Sequence, residues 1–351
     1  MNTLNKKMKN KDVILVTGGS GFIGTNLIKI LQKKKFIVHN VDKFSYCSVP
    51  QKFTNFSKKN YFFHKVDLRD KKKIRRILTK YNPKYILNLA ADSHVDRSIE
   101  SPHSFFINNV EGTLNLLECL RIEKKKIKLK KLIHISTDEV YGGENLQPSR
   151  EDDKYETNSP YSASKASTDH ICRAYWKTYG LPISIVNCCN NYGPYQFPEK
   201  FIPTIINSLK SKKPIPIYGQ GKNIREWIFV DDFCKAIILV AEKGIVGQKY
   251  NIGSAIRLSN KQIVYKIISE VKKYINIDSN NSSLLKLVKD RPGHDFKYSI
   301  NSSKIKSRLR WKPIISLKKG IAKTVEWYFN NEKWLKHCKK NYSGKRLGIN
   351  D

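Results

Sequence analysis

Residues 13 to 24 read Val13-Ile14-Leu15-Val16-Thr17-Gly18-Gly19-Ser20-Gly21-Phe22-Ile23-Gly24. The first five form a short apolar, β-rich run. Thr25 to Lys34 follows with Leu27, Ile28, Ile30 and Leu31 as its apolar residues, which predicts a helix. Strand, glycine turn and helix in this order place a pyrophosphate on a helix N-terminus. Gly18, Gly21 and Gly24 then serve a tight turn, a close backbone approach and close helix packing. A glycine triplet alone is a weak signal. Between a strand and a helix it reads as a dinucleotide site.

The alternation continues downstream. Further strands are predicted at Phe36 to Val41, Tyr61 to Val66, Tyr85 to Leu89, Lys131 to Ser136 and Ile183 to Asn187, with helical segments between them. This predicts an α/β fold, a Rossmann-like doubly wound parallel sheet. Ligands bind such a sheet at the carboxyl ends of its strands. Asp42, Asp67, Ser93 and Thr137 all fall just after predicted strands and should converge on one crevice. Asp42 lies where an acidic residue would bind the adenosine ribose hydroxyls, which favours NAD over NADP. Beyond residue 257 the pattern changes, which predicts a smaller, mixed C-terminal unit. The expected division is 1–187 with 226–256, then 188–225 with 257–335, then a polar tail over 336–351.

Two clusters carry candidate chemistry. Thr137-Asp138-Glu139 sits where a buried strand gives way to a loop, and Tyr161 and Lys165 stand four apart on one helix face. A phenol near pKa 10 is a poor base at neutral pH, and a nearby ammonium lowers that value. Asp138 and Glu139 supply a candidate acid and base. Taken alone, Tyr-x-x-x-Lys is a common pattern, and Thr-Asp-Glu reads equally as a solvated turn. Cys188 to Lys200 is rich in Gly, Pro, Asn and Lys. It reads as a loop suited to sugar hydroxyls and phosphate, or simply as a surface loop. Arg291, in Asp290-Arg291-Pro292-Gly293, suits a diphosphate clamp or a surface salt bridge.

Composition limits the alternatives. The net charge of +36 would suit a nucleic acid or an anionic membrane, yet only 13 of the 66 basic residues are Arg and the Lys are scattered. No nucleic-acid partner is expected, and no membrane span, since no apolar run approaches about 18 residues. Met1 to Asp12 reads as a short polar tail without a secretory segment. Seven Cys with no Cys-x-x-Cys pair argue against a disulfide framework and a structural zinc site, which leaves a reducing cytoplasm. No metal is expected.

From Val13 to about Trp334 the sequence resembles the dTDP-glucose 4,6-dehydratase family of extended short-chain dehydrogenases/reductases. The blocks that carry the resemblance are VTGGSGFIG, VDK, DLRD, LAADSHVDRSI, ISTDEVYG, YSASKASTDH, NNYGPYQFPEKFIP, REWIFVDD, YNIG and DRPGHD. The Asp138-Glu139 pair separates it from relatives that only epimerise at C4. Ser45 to Pro50 (SYCSVP) departs from the family's usual TYAGN-like loop.

The resemblance implies NAD as cofactor and dTDP-glucose as substrate, although the residues alone fit UDP or CDP as well. It implies Thr137, Asp138, Glu139, Tyr161 and Lys165 as catalytic residues. Towards NAD it maps Gly18, Gly21, Phe22, Ile23, Gly24, Asp42, Lys43, Asp67, Leu68, Ala90, Ser93, Asn108 and Asn191, with Tyr161 and Lys165. Towards the sugar nucleotide it maps Ser93, Thr137, Asn190, Glu199, Lys200, Tyr218, Arg225, Asn260 and Arg291. It also implies a homodimer, packed through the 105–120 and 161–179 helices.

Overall fold

The computed structural model describes residues 8, 11–143, 147–277, 284–340 and 342. Most of the expected N-terminal tail, the polar stretch 278–283 and residues 343–351 lie outside the described residues. The chain begins with β1 (Val13–Thr17), α1 (Phe22–Lys33), β2 (Ile37–Asp42), β3 (Tyr61–Lys65), α2 (Lys71–Tyr81) and β4 (Tyr85–Asn88). Next come α3 (Val95–Glu100), α4 (Pro102–Phe105), α5 (Gly112–Ile122), β5 (Lys131–Thr137), α6 (Pro160–Tyr179) and β6 (Ile183–Cys188). They are followed by β7 (Asn190–Tyr192), α7 (Phe201–Lys210), β8 (Ile215–Tyr218), β9 (Ile224–Phe229), α8 (Val230–Lys243) and β10 (Lys249–Ile252). The chain closes with β11 (Arg257–Ser259), α9 (Asn260–Val271), β12 (Leu285–Val288), α10 (Ser303–Leu309), α11 (Leu317–Asn330) and α12 (Glu332–Lys339).

Seven strands form one sheet in the order β10-β6-β5-β4-β1-β2-β3, all parallel. Every residue of β4 and β5 is buried, as their apolar runs require for strands covered on both faces. Leu27, Ile28 and Leu31 of α1 and Phe233, Ile237 and Ile238 of α8 cover one face. Ile77 and Leu78 of α2, Leu116 and Leu120 of α5 and Cys172 of α6 cover the other. The strand order reverses at β1, which lies between β2 and β4, so the crevice opens at its carboxyl end.

The smaller unit holds the sheet β11-β9-β7 and the pair β12-β8, with α7, α9 and α11 packed into its own core around Ile206, Ile217, Ile267, Val325 and Tyr328. Four sequence expectations change here. Residues 226–229, which the expected division assigns to the large-sheet unit, belong to β9, which pairs with β7 and β11 instead. Asn190 to Tyr192, expected as loop, is β7, because β9 offers it a free edge. The single helix expected over 105–120 contains one wide turn, Phe106–Glu111. There Asn109 is held by the Asp92 backbone, donating to its carbonyl at 3.0 Å and accepting from its N–H at 2.7 Å. The polar tail expected from 336 is helical to Lys339, because Trp334, Leu335 and Cys338 turn into the small core.

At the far edge of the large sheet, His39 Nδ1 and His64 Nε2 stand 2.9 Å apart, and the His39 ring lies 3.9 Å from that of Tyr81. Burial, then His64 and Lys80, push His39 down to about 4. Its pKa is lower folded than unfolded, so protonation favours the unfolded chain. The contribution is complete above about pH 6.5 and lost as the pH falls towards 4. Urea unfolding at pH 7 and pH 4.5 should show the wild type losing more stability than His39→Phe, by an amount on the order of 2 kcal/mol. Equal losses in the two proteins would show that His39 is not the titrating group.

Candidate active site

The glycine turn is fixed by contact. Gly18 has φ +67°, and a Cβ there would stand 2.7 Å from the Ala90 backbone. A Cβ on Gly24 would stand 2.5 Å from the Gly18 carbonyl oxygen. Helix α1 starts from Gly21 without a side-chain cap, so no side chain competes for its first amides. Asp42 accepts from Ser20 N at 3.0 Å and Phe44 N at 2.7 Å. This cradle opens into a cavity of about 540 Å³ lined by Gly18, Gly21, Phe22, Ile23, Gly24, Asp42, Lys43, Asp67, Leu68, Ala90, Ser93, Asn108, Tyr161 and Lys165. Of the residues mapped towards the dinucleotide, Asn191 alone is not on that wall. It sits in β7, with its Nδ2 bonded to the Cys189 carbonyl at 3.0 Å. A close-backbone cradle at an open helix N-terminus, with an acidic strand end beside it, fits a dinucleotide.

Strand β5 ends beside Tyr161 of this cavity. Thr137 Oγ1 caps the short turn Asp138–Tyr141, accepting from Glu139 N at 3.3 Å, and donates to Asp138 Oδ1 at 3.3 Å. Asp138 Oδ2 and Glu139 Oε2 are buried and without a hydrogen-bond partner among the described residues. Their surroundings differ. Burial, then Glu139 and Glu226, push Asp138 well above the carboxylate range. Burial also raises Glu139, but Arg291, Arg225 and Lys200 pull it back. One carboxyl is therefore held as an acid, and its neighbour is the readier base.

Helix α6 is set by a capping box of Ser159 with Ser162, by Pro160 in its first turn and by Gly180 at φ 63°. It carries Tyr161 and Lys165 to β5. The Tyr161 ring packs edge-on against Phe105 at 6.3 Å. The lowered Tyr161 pKa expected from Lys165 is not found. Burial, then the Glu139 charge, raise it well above 10, with Thr137 pulling the other way. Lys165 instead donates to the Ile135 carbonyl at 2.7 Å.

The remaining predicted residues divide. Glu199 and Lys200 line the cavity. Lys200 donates to the Ser93 carbonyl at 2.6 Å. Glu199 is bonded to Tyr46 at 2.5 Å and to Arg97 at 2.9 Å. Arg291 pairs with Asp96 at 3.2 Å, and Tyr218 donates to the same carboxylate at 2.6 Å. Arg225 donates to the carbonyls of Ile224, Asp295 and Phe296, with its guanidinium 4.3 Å from the Tyr298 ring centroid. Both arginines act on Glu139, which brings them to the catalytic cluster. Asn190 opens β7. Asn260 opens α9, buried, with its N–H on the Asn223 carbonyl at 3.0 Å.

Tyr46, Arg97 and Asp96 were missed. Tyr46 and Arg97 line the cavity and hold Glu199, and Asp96 joins Arg291 to Tyr218. Asp96 and Arg97 lie inside LAADSHVDRSI, where an Asp-Arg pair next to a strand end was the available signal.

The sequence profile described as GDP-mannose 4,6 dehydratase matches residues 15–324. A probable dTDP-glucose 4,6-dehydratase of Sinorhizobium fredii is 42% identical over 344 residues, covering 96% of this chain and 98% of its own. The crystal structure of DesIV, a dTDP-glucose 4,6-dehydratase from Streptomyces venezuelae with NAD and TYD bound, superposes with a TM-score of 0.85 at 37% identity, over 92% of this chain and 98% of that one. The UDP-glucose 4-epimerase of Thermotoga maritima, with UDP-glucose, gives a TM-score of 0.81 at 29% identity, over 91% and 99%. Near-full-length identity of this order, on a shared Rossmann-like sheet, places the chain in the GDP-mannose 4,6 dehydratase family, among the dTDP-glucose 4,6-dehydratases.

Proposed function

We propose that this chain is an NAD-dependent dTDP-glucose 4,6-dehydratase, a hydro-lyase that gives dTDP-4-dehydro-6-deoxyglucose. The observation that carries this reading is the adjacent, buried Asp138 and Glu139 in different surroundings next to Tyr161, Asp138 beside further carboxylates and Glu139 beside Arg291, Arg225 and Lys200. A 4-epimerase has no use for such a pair. The glycine cradle, Asp42, Lys43, Asp67, Leu68, Ala90, Ser93 and Asn108 would hold NAD, which supplies hydride acceptance from C4 and its return to C6. Lys165 would hold the nicotinamide ribose.

Thr137 orients the 4-hydroxyl of the sugar, and Tyr161 takes its proton as phenolate, a form that the positive charges of Lys165 and of a bound nicotinamide would favour over the buried phenol. The 4-ketone acidifies C5–H, and Glu139 removes that proton. Asp138 delivers a proton to the C6 hydroxyl, which leaves as water, and Glu139 gives its proton back to C5 to complete the saturated product. Arg225, Arg291, Lys200 and Tyr218 would face the diphosphate and sugar, with Asn190, Glu199 and Asn260 beside them. Incubation with dTDP-, UDP-, CDP- and GDP-glucose, followed by alkali and absorbance of the 4-keto-6-deoxy sugar, tests the reaction and its nucleotide together. No signal with dTDP-glucose would end this reading.

The same reading makes the protein a homodimer of the cytoplasm that supplies an intermediate for rhamnose or related deoxysugars. Phe106, Leu114, Ile122 and Tyr179, exposed on and next to α5 and α6, support the dimer. Free thiols at all seven Cys suit a reducing compartment. Among the described residues no helix is long and apolar enough to cross a membrane.

Glu139→Gln should still oxidise C4 and accumulate bound NADH near 340 nm, but should not exchange the C5 hydrogen with solvent deuterium. The Glu139 charge raises Tyr161, so the acid limb of this oxidation should also move to lower pH. Asp138→Asn should reduce NAD and exchange C5, yet lose water slowly. Tyr161→Phe should stall before either event. Each loss should be about a hundred- to ten-thousandfold in the affected step. Wild-type C5 exchange in Glu139→Gln would reverse or remove the assigned roles.

Arg291→Ala should raise KM roughly ten- to a hundredfold, by loss of a charge-assisted bond of about 1.5–3 kcal/mol. Arg225→Ala should do the same and also lower the melting temperature, since three backbone carbonyls each lose one of their donors. Unchanged binding of dTDP by both variants would show that neither arginine meets the diphosphate.

A further inference from the structure

Tyr161, Lys165 and Asp169 follow at intervals of four along α6, so one helix face turns all three towards β5. The proposed reaction uses the first two. Asp169 lies one turn behind them, 2% exposed. Its Oδ2 accepts from Ser136 Oγ at 2.8 Å, from Tyr155 OH at 2.8 Å and from Asn187 Nδ2 at 3.5 Å. Its Oδ1 is buried without a hydrogen-bond partner among the described residues. That atom faces His134, with Nε2 3.6 Å away. Lys165 Nζ stands 3.5 Å from the same nitrogen.

The state of His134 follows from its neighbours. Thr17 donates to Asn88 Oδ1, so the Asn88 amide donates to His134 Nδ1 at 3.0 Å. Nε2 therefore carries the hydrogen. Thr168 Oγ1 gives its own hydrogen to the Lys165 carbonyl at 2.7 Å and accepts from Nε2 at 2.9 Å. The imidazole is neutral, as its burial and the Lys165 charge both require. It cannot neutralise Lys165, and the ammonium's bond to the Ile135 carbonyl brings no opposite charge. The other groups acting on Lys165 are Cys172 of the same helix and Cys188 of β6, both thiols that burial raises. Tyr161 lies one turn ahead of it on α6, and Tyr155 and Lys249 lie behind Asp169.

We propose that Asp169 is the buried counter-ion and positioning residue of Lys165, acting past the edge of the neutral His134 ring. An ammonium sealed between a helix and a sheet is driven towards the neutral amine by lost hydration. A fixed carboxylate one helical turn away opposes that drive. Burial raises the Asp169 carboxyl, while Lys165, Ser136 and Tyr155 pull it back towards the carboxylate, and the three donors on Oδ2 fix the side chain with Oδ1 left bare. On this view the YxxxK pair is a triad, with the third member in the helix rather than in the cavity.

The functional part rests on the role given to Lys165 above; the pairing itself does not, so two readouts are needed. The first is the pH profile of C4 oxidation in the NAD-loaded enzyme, followed near 340 nm in a single turnover. Losing Asp169 lowers the Lys165 pKa, so the alkaline limb in Asp169→Asn should move to lower pH by about one unit or more. The rate at pH 8 should fall roughly tenfold or more, with KM for the sugar nucleotide unchanged. A limb that stays at its wild-type position overturns the proposal. The second readout is urea unfolding of Asp169→Asn, Lys165→Met and the double variant, which needs no activity. The two effects should be strongly non-additive, with the double variant more stable than Asp169→Asn alone. If Asp169→Asn does not fold, the double variant is expected to fold. Additive effects, or a double variant no better folded than Asp169→Asn, overturn the pairing.

Discussion

A buried ammonium joins the two elements on which the site depends. Lys165 of α6 donates to the Ile135 carbonyl of β5 at 2.7 Å. Strand β5 is paired on both sides, to β4 and β6, so its N–H and C=O groups are largely used within the sheet. A carbonyl second lone pair still accepts, and the lysine takes it. That contact fixes how far α6 can rotate or slide against the sheet. Tyr161, one turn earlier, is then set beside Thr137 at the strand end, and Asp169, one turn later, falls beside His134 and Ser136.

The consequence is a dense group of buried ionisable side chains. Asp138, Glu139, Lys165, Asp169 and Arg225 are all within a few residues of a strand end or of α6, and each has its pKa displaced by burial. Desolvation acts on all of them, so it cannot by itself distinguish an acid from a base. The distinction comes from the second influence on each. Asp138 faces two further carboxylates, whereas Glu139 faces three cations. Two neighbouring carboxyls in one chain segment are thereby held in different electrostatic surroundings by residues far away in sequence.

Those distant residues belong mostly to the smaller unit. Arg225 lies in β9, Arg291 follows β12, and Lys200 precedes α7. Asp96, from the larger unit, holds Arg291 at 3.2 Å and Tyr218 at 2.6 Å. Arg97 and Tyr46 hold Glu199 in the same way. The two units therefore meet through bonded ionic contacts, of which those of Tyr46, Arg97 and Glu199 line the cavity. Partly buried pairs of this kind are stronger evidence for geometry than for stability, because desolvation offsets much of their attraction.

The local pattern of the chain determined the large sheet. Strands buried on both faces are predominantly apolar, and the runs at Val13, Tyr85 and Lys131 could be read from that rule although β5 also buries His134 and Ser136. The glycine cradle was equally legible, because Gly18 and Gly24 occupy places where any Cβ would collide with backbone. Thr137, Asp138, Glu139, Tyr161 and Lys165 stood out as candidates by residue type and spacing, and the roles proposed for them come from the family resemblance. Sequence could not determine sheet membership for β7 and β9, since a three-residue strand carries too little periodicity to announce its partner. It also gave no sign that Lys165 would turn to the Ile135 carbonyl while burial and Glu139 raised Tyr161. The field at a side chain is a sum over neighbours in space. Only the folded chain decides which charges those neighbours carry.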